Sequence, residues 1–354
     1  MTTGARAGHT PRLFLFAIGA RDRASSRLRV WDHLDWLRTS GVEVHADSLV
    51  PAGATSFSPA VLTRLLSRLP GWVAAFLRAD AVMIQESLLL WPLVLVRRVG
   101  KRRTVLFDFS DPVDRHGSGL KGWLRRRAFG LLVRHADAVM VENRAYLERL
   151  GDRARRLIHF YGPVNAARYR DARMTLGVLP VEGAVRIGWT GSPGTFRFIA
   201  PLLSIIDEIA CHHPIEVVLI GAGSIDNPLK HARLTLIDWN EDTEFATVPT
   251  FDLGLFRLED SEDALWRGAG KLFIYMAAGV PFVASERGIA RDLMREAGVG
   301  FPVSDDAQWG EVLTRAVADV QLRREMAATS LVQVSSLSYD SFRQALLASL
   351  VPAR

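Results

Sequence analysis

The sequence predicts an α/β chain built from two doubly wound parallel sheets. Strand-like and helix-like segments alternate along most of the chain, and the alternation runs twice. The two runs are separated by residues 159–171, which contain Gly-Pro and show no clean period. A length of 354 residues also fits two domains, at roughly 100–200 residues each. We expect domains at 1–165 and 166–335, and a final helix at 336–354 that crosses back to the first domain.

The first run begins with the apolar strand RLFLFAI at 12–18. Apolar residues at three-residue spacing then predict a helix over 27–41 that ends at Gly41. The segment SLLLWPLVLV (87–96) predicts a buried helix, because about 20 apolar residues are needed to span a membrane. The other strands are predicted at 42–49, 79–85, 103–109 and 136–143, and the other helices at 61–78 and 120–136.

The second run begins with the strand VRIGWTG at 185–191, which leads into a glycine-containing turn. Further strands are predicted at 215–223, 233–239, 251–257 and 280–285, and helices at 195–212, 270–279, 289–298 and 338–351. Ligands of such sheets bind outside the carboxyl ends of the strands, and clefts between domains are favoured sites. The pattern therefore predicts two domains that face a ligand-binding cleft.

The composition excludes several classes of protein. Hydrophobic residues make up 49% and charged residues 23%, as in ordinary globular proteins. The single cysteine, Cys211, excludes a disulfide scaffold and a cysteine-based zinc site. The apolar stretch 13–20 is short and is followed by charged residues, so it is not predicted to be a secretory signal.

The formal net charge of +6 is unevenly distributed. Residues 1–165 carry 26 basic and 14 acidic side chains, whereas residues 166–354 carry 18 and 24. The basic stretch 121–127 predicts that the first domain docks on an anionic membrane surface or on a phosphate-bearing acceptor. Binding of nucleic acid is not predicted, because the signatures of the common nucleic-acid-binding modules are missing.

Two segments of the second run could contact a phosphate. In GWTGSPGT (188–195) a strand ends at glycines and a helix begins, so free backbone N–H groups could bind an anion; turn geometry alone explains the same residues. Lys271 is one of only four lysines and lies at a predicted helix start, where the helix dipole does not favour a cation. A diphosphate bound by both Lys271 and the helix N-terminus would explain that position, although a surface lysine is the alternative.

These segments resemble a known family. IGWTGSPGT, VVLIGAG, FDLGLF, KLFIYMAAGVPFVAS and GVGFPV follow one another as in the donor-binding domain of retaining GT-B glycosyltransferases of family 4. In the first half, SSRLRVWDHLDWLRTSGVEV, VLFDFSDPVD and ADAVMVENRAYLERL are similar to the same family. The resemblance implies two Rossmann-like domains that face a cleft, with the acceptor bound on the first and the donor on the second.

The resemblance also implies a function. A sugar would pass from a nucleotide-sugar to a hydroxyl group of a glycan, a lipid-linked or a small-molecule acceptor, with retention and without an essential metal. The nucleotide-sugar is a co-substrate, and no other cofactor is expected. We expect a cytoplasmic enzyme of polysaccharide biosynthesis, peripheral to the inner face of the membrane. The donor-binding residues expected by this resemblance are Thr190, Gly191, Ser192, Arg197, Arg267, Lys271 and Tyr275.

Candidate residues of the first domain lie after its first and fourth strands. Ser26, Arg27 and Arg29 are candidates for acceptor binding, although arginines on a solvated helix face would look the same. Asp111 and His116 follow the strand that ends at Asp108 and are the candidate catalytic residues, with a base near the acceptor hydroxyl as the expected role. The alternative is that SDP only caps the next segment. The spacing of Asp108, Asp111 and Asp114 is not taken as a metal site.

One departure from the family concerns two glutamates. The family carries a pair eight positions apart, and the second of them bonds the ribose; Trp266 and Ile274 stand at the corresponding positions. Neither side chain can accept a hydrogen bond from a ribose hydroxyl. A branch of the family with basic residues in this region fits Arg267 and Lys271. The alternative function is a catalytically silent GT-B protein that binds a partner or a glycan.

Overall fold

A computed structural model describes residues 10–54, 58–97, 99, 102–115, 117–176 and 183–350. The chain divides into two compact units. The first runs to Pro163 and takes in the chain from Phe342 onward, and the second spans Val164–Ser341. Each unit is built on one six-stranded sheet in which all the paired strands are parallel.

The sheet of the first unit has the strand order β2-β1-β3-β4-β5-β6. Its strands are β1 (Arg12–Gly19), β2 (Glu43–Val50), β3 (Ala81–Gln85), β4 (Thr104–Phe109), β5 (Ala138–Val141) and β6 (Leu157–His159). Its helices are α1 (Ala24–Arg29), α2 (Leu34–Thr39), α3 (Pro59–Arg78), α4 (Trp91–Leu95), α5 (Gly119–His135) and α6 (Ala145–Leu150). A later helix, α15 (Tyr339–Leu350), also packs on this sheet.

The sheet of the second unit has the order β12-β11-β10-β7-β8-β9. Its strands are β7 (Val185–Thr190), β8 (Ile215–Ile220), β9 (Arg233–Ile237), β10 (Leu253–Phe256), β11 (Phe282–Ser285) and β12 (Phe301–Val303). The helices from Val164 onward are α7 (Ala166–Leu176), α8 (Pro193–Phe196), α9 (Leu202–Ala210), α10 (Glu241–Thr247), α11 (Gly270–Ala278), α12 (Gly288–Ala297), α13 (Trp309–Ala318), α14 (Val320–Gln333) and α15 (Tyr339–Leu350).

Apolar side chains on both faces of the first sheet explain its burial. Leu15, Met83 and Leu106 point to one face, where Val30 of the first crossover and Phe342 of α15 pack against them. The aromatic side chains of alternate strand positions, such as Phe16 and Phe107, point to the other face, because successive residues of a strand alternate in direction. Strands buried on both faces are typical of parallel sheets.

The predicted α/β class with two doubly wound sheets is confirmed, because each unit has one parallel six-stranded sheet with helices. The helix predicted over 27–41 is interrupted, because Val30 leaves the helical region (φ −128°) after α1 and a 3₁₀ turn at Trp31–His33 precedes α2. The helix predicted over 195–212 is also two helices, since α8 ends at Phe196 and α9 begins after Pro201, which lacks an N–H group.

The prediction of a buried helix over 87–96 is wrong for its first half, which is not helical, and for its end, which is not buried. The observed helix α4 covers only Trp91–Leu95, and it ends among exposed residues, since Leu95 and Val96 both face solvent.

Candidate active site

The second unit gathers three basic residues at the carboxyl edge of its sheet. Strands β7 and β10 are neighbours, so the segments that follow them start at the same edge. Arg197 follows β7, and Arg267 and Lys271 lie in the segment after β10, with Lys271 in the first turn of α11. Ligands of doubly wound sheets bind at this edge.

Each of these three cations lies over an aromatic ring, and the two arginines share one ring. The guanidinium carbons of Arg197 and Arg267 lie 4.7 and 4.9 Å from the ring centre of Phe198, which is buried. The ammonium nitrogen of Lys271 lies 5.6 Å from the ring centre of Trp189, a buried residue of β7. Cation–π contacts of this kind restrict long side chains. The arrangement is therefore a locally positive surface within a unit whose sequence is acidic in sum.

The turn at 191–195 is closely packed against Trp189. A Cβ atom on Gly191 would lie 2.3 Å from the indole of Trp189, so a side chain does not fit there. The N–H groups of Gly191, Ser192 and Thr195 donate to Ile220 O, Thr195 Oγ1 and Ser192 O. Helix α8 ends after four residues, which leaves little dipole. Three N–H groups of the turn therefore have partners within the protein, and the binding of a phosphate by this turn stays a prediction.

Two other predicted donor contacts have structural partners instead. Thr190 is buried, and its hydroxyl donates to Glu244 Oε2 at 3.0 Å. Tyr275 is fully buried, and its hydroxyl donates to the Leu255 carbonyl at 3.2 Å. Burial raises the pKa of the Tyr275 phenol well above its usual range. Both hydroxyl groups therefore bond within the protein, in the packing of the helices against the sheet.

In the first unit, the predicted acceptor residues lie inside the protein. Ser26 accepts from Gly19 N at 3.1 Å and donates to Gln85 Oε1 at 3.0 Å. Arg29 is 2% exposed and donates from Nε to Asp108 Oδ2 at 3.1 Å and from Nη1 to the Gly162 carbonyl at 2.6 Å. Burial raises the pKa of Asp108 to about 7, with the Arg29 charge opposing this shift and Glu86 adding to it.

Ser26, Arg27 and Arg29 are all buried, so neither expectation for them holds in the described structure. They are not solvated arginines on a helix face, and they do not present an open surface to an acceptor. The partner of Arg29 is Asp108, which is 79 residues away in sequence and belongs to β4. Arg29 therefore links the first crossover to the end of β4, which is a positioning role.

Of the two candidate catalytic residues, Asp111 is exposed in the loop that follows β4. His116 lies outside the described residues. Asp108 and Asp114 have separate partners: Asp114 accepts from the Tyr146 hydroxyl at 2.7 Å and pairs with Arg149 at 2.5 Å. In the described part of the chain, no three His, Cys, Asp or Glu side chains form a group that could hold a metal ion.

Glu86 is a feature of this edge that the sequence reasoning missed. It follows β3 with φ of 54°, and it is the only non-glycine residue with positive φ among those described. Its carboxylate accepts from Ser25 Oγ at 3.0 Å and from the backbone N and the Oγ of Ser110 at 3.2 and 2.6 Å. A strained conformation held by three hydrogen bonds is common at functional sites. The position directly after a buried strand was the signal that could have found it.

Comparison with known proteins supports the fold and not a family. No protein-family model and no curated protein matches the sequence. Among solved structures, sucrose-phosphate synthase from Thermosynechococcus elongatus is similar, with 14% identity, a TM-score of 0.66 and coverage of 95% of this chain and 97% of the other.

Two further structures show the same fold. HepE from Anabaena, in complex with UDP, has 15% identity, a TM-score of 0.68 and coverage of 96% and 99%. The UDP-forming α,α-trehalose-phosphate synthase from Burkholderia vietnamiensis has 15% identity, a TM-score of 0.66 and coverage of 97% of both chains. The fold of these structures therefore extends over nearly the whole chain.

Proposed function

We propose that this protein is a glycosyltransferase that moves a sugar from a nucleotide-sugar to a hydroxyl acceptor, with retention and without a metal ion. The observation that carries the proposal is the group of Arg197, Arg267 and Lys271 at the carboxyl edge of β7 and β10. The acceptor is a glycan, a lipid-linked or a small-molecule hydroxyl compound, and the enzyme acts in the cytoplasm.

The chemistry of these residues suits a diphosphate. A planar guanidinium can donate two parallel hydrogen bonds to phosphate oxygens, and an ammonium acts as a compact positive charge. During transfer the leaving nucleotide diphosphate gains negative charge, and fixed cations stabilise charge that develops in a transition state. Three basic side chains would thus do the work that a divalent cation does in other enzymes. Addition of EDTA should leave the transfer rate unchanged.

Uridine diphosphate is the first nucleotide to test, since one similar structure contains UDP and another belongs to a UDP-forming enzyme. The full chain is heated with UDP, GDP, ADP, CDP or dTDP, each in excess. A ligand at about 100 times its Kd stabilises the folded state by about 2.7 kcal/mol. We expect one of these nucleotides to raise the melting temperature, and a lack of effect from all five would contradict the proposal.

Asp111 is proposed as the base that accepts the proton of the acceptor hydroxyl, with His116 as the second candidate. Its exposure in the loop after β4 suits that role. General base catalysis contributes roughly 10²–10⁴-fold, so Asp111→Asn should lower the transfer rate by that factor and leave nucleotide affinity unchanged. The exposed Asp152→Asn is the matched control and should keep full activity. Unaltered transfer by Asp111→Asn would exclude the role.

The alternative is a catalytically silent protein of the same fold. Trp266 ends a 3₁₀ turn and Ile274 lies on α11, where related enzymes carry glutamates, so the ribose would have to be bound by other groups. An enzyme must release a nucleoside diphosphate from its donor, whereas a silent protein would release none even where it binds the donor. The same melting experiment with intact UDP-glucose, followed by a search for released UDP, separates the two.

A further inference from the structure

Helices α3, α4 and α5 belong to three successive crossovers of the first unit, and aromatic contacts place α3 and α5 on the same face of the sheet. Phe16 is in register with Ile84 of β3, and Ile84 is in register with Phe107 of β4, so Phe16 and Phe107 point to the same side. Trp72 of α3 packs edge-on against Phe16 at 4.8 Å, and Phe129 of α5 packs against Phe107 at 5.8 Å. We call the outer surface of these helices the α3–α5 face.

Helix α3 presents leucines to solvent. Leu62 and Leu66 are 59% and 71% exposed, and Leu69 and Leu77 are 40% exposed. Within the described residues α3 is the one helix long and apolar enough to cross a membrane, and only 11% of that stretch is buried. A core helix of the same composition would be mostly buried, so burial in a core does not explain the apolar residues.

The inner side of α3 fixes the helix along the sheet. Trp72 donates from Nε1 to Asp47 Oδ2 at 2.9 Å, and Arg64 pairs with the same carboxylate and donates to the Ser48 carbonyl at 2.7 Å. A helix held along a sheet by a buried indole, and carrying three arginines, is suited to lie on a bilayer rather than to span it.

Helix α5 continues the same surface. Leu120, Trp123 and Leu124 are 50–71% exposed, and the guanidinium of Arg127 lies 5.4 Å from the ring of Trp123. The opposite side of α5, which includes Phe129, is buried. Tryptophan beside arginine is typical of side chains at the boundary between headgroups and acyl chains. Val99, in the loop after α4, is 61% exposed.

The charged residues of the three helices are all basic. Helices α3, α4 and α5 together contain 42 residues, with 8 basic and no acidic side chains. These 42 residues would hold about 4 or 5 acidic residues if acids were spread evenly along the chain. The acidic residues of the three crossovers lie outside the helices, at Asp80, Glu86, Asp111, Asp114 and Asp137. The helices of the α3–α5 face are therefore basic throughout.

We propose that the α3–α5 face docks the protein onto an anionic lipid bilayer, with the leucines and Trp123 in the headgroup boundary and the arginines on lipid phosphates. A groove of about 460 Å³ beside α3 is lined by Thr63, Ser67 and Arg68 and has room for a headgroup. Apolar and basic side chains occur together on this face, which a bilayer matches and a purely polyanionic surface does not. The proposal is independent of the proposed donor site, which lies in the second unit.

The test is flotation of the full chain with vesicles of phosphatidylcholine alone or with about one-third phosphatidylglycerol. We expect the wild type to float with the anionic vesicles only, and high salt to weaken the binding. Leu66→Gln combined with Trp123→Gln should reduce the bound fraction at least tenfold. Because both residues are exposed, the variant should fold, and an unchanged melting temperature verifies this.

The matched controls are Met174→Gln and Val332→Gln, which are 68% and 72% exposed in the second unit and should bind vesicles like the wild type. The proposal is overturned if the wild type stays unbound, or if the double variant binds as well as the wild type does. It is also overturned if light scattering shows that the wild type is a dimer and the double variant a monomer. Release of the protein from the vesicles by competing DNA would overturn it as well. If the proposed donor site were wrong, flotation would be unchanged, so each of the two proposals can be refuted without the other.

Discussion

The buried ion pair between Arg29 and Asp108 gives the sharpest stability prediction. Both side chains are at most 2% exposed, and the Nε–Oδ2 distance is 3.1 Å. Replacing Arg29 with Met keeps the apolar length of the side chain and leaves the carboxylate buried without its counter-charge. Removal of one partner of a buried pair costs about 3–5 kcal/mol, and we expect that loss for Arg29→Met at pH 8.

The loss of stability caused by Arg29→Met should be larger at pH 8 than at pH 5. Burial raises the folded-state pKa of Asp108 to about 7, above the ordinary value of about 3.8, so the folded state holds this proton more tightly. The stability that this carboxyl contributes is therefore present at low pH and is lost as pH rises through about 7. Without Arg29 the pKa rises further, and the carboxyl is neutral at pH 5. At pH 5 the carboxyl is neutral with or without Arg29, so the loss caused by Arg29→Met should be about 1.4 kcal/mol smaller at pH 5 than at pH 8, which is one pH unit above the wild-type pKa.

Amide hydrogen exchange of peptides from β3 and β4 measures this loss, because it reports the opening of the first unit alone. The exposed Arg153→Met in the same unit is the control and should change the opening free energy by less than about 0.5 kcal/mol. An equal loss at pH 5 and pH 8 would show that the charge of Asp108 is not what Arg29 compensates. A loss under about 1 kcal/mol at pH 8 would refute the buried pair itself.

Two further predictions concern the second unit. Gly191→Ala places a Cβ atom 2.3 Å from the Trp189 ring and should lower the free energy of unfolding by about 1–3 kcal/mol. The control is Gly194→Ala, whose Cβ atom meets nothing within 4 Å and should be tolerated. Thermal melting compares the two variants. Tyr275→Phe removes the hydrogen bond to the Leu255 carbonyl and should cost about 1 kcal/mol of stability with unchanged UDP affinity. A large loss of affinity at full stability would show that Tyr275 contacts the nucleotide-sugar after all.

The architecture could be predicted from the sequence because a buried strand appears there as a short apolar run followed by turn residues. The apolar runs at 12–18, 185–191 and 251–257 correspond to β1, β7 and β10, and the turn residues after them mark the ligand edge. The basic residues at that edge could be predicted for the same reason. Lys271 is an example. A helix start disfavours a cation, so a lysine at that position is unusual in the sequence, and Lys271 does lie in the first turn of α11.

Local periodicity could not predict which polar residues are buried. Ser26 and Arg29 lie on a helix whose spacing looks amphipathic, but their partners Gln85 and Asp108 belong to other strands, and only the strand order brings them together. The backbone of Glu86 is similar, because its φ of 54° depends on hydrogen bonds from two other crossovers.

The direct test of the central claim is calorimetric titration of the full chain with the nucleoside diphosphate that raises its melting temperature most, for the wild type, Lys271→Ala and Lys230→Ala. Lys230 is an exposed lysine of the same unit that precedes β9, at the opposite edge of the sheet, and serves as the control. A hydrogen bond to a charged group is worth about 1.5–3 kcal/mol, so Lys271→Ala should weaken binding about 10- to 100-fold, and Lys230→Ala should not. Equal affinity of all three proteins, or no binding of any of the five nucleotides by the wild type, would contradict the claim that the second unit binds the donor through its basic edge.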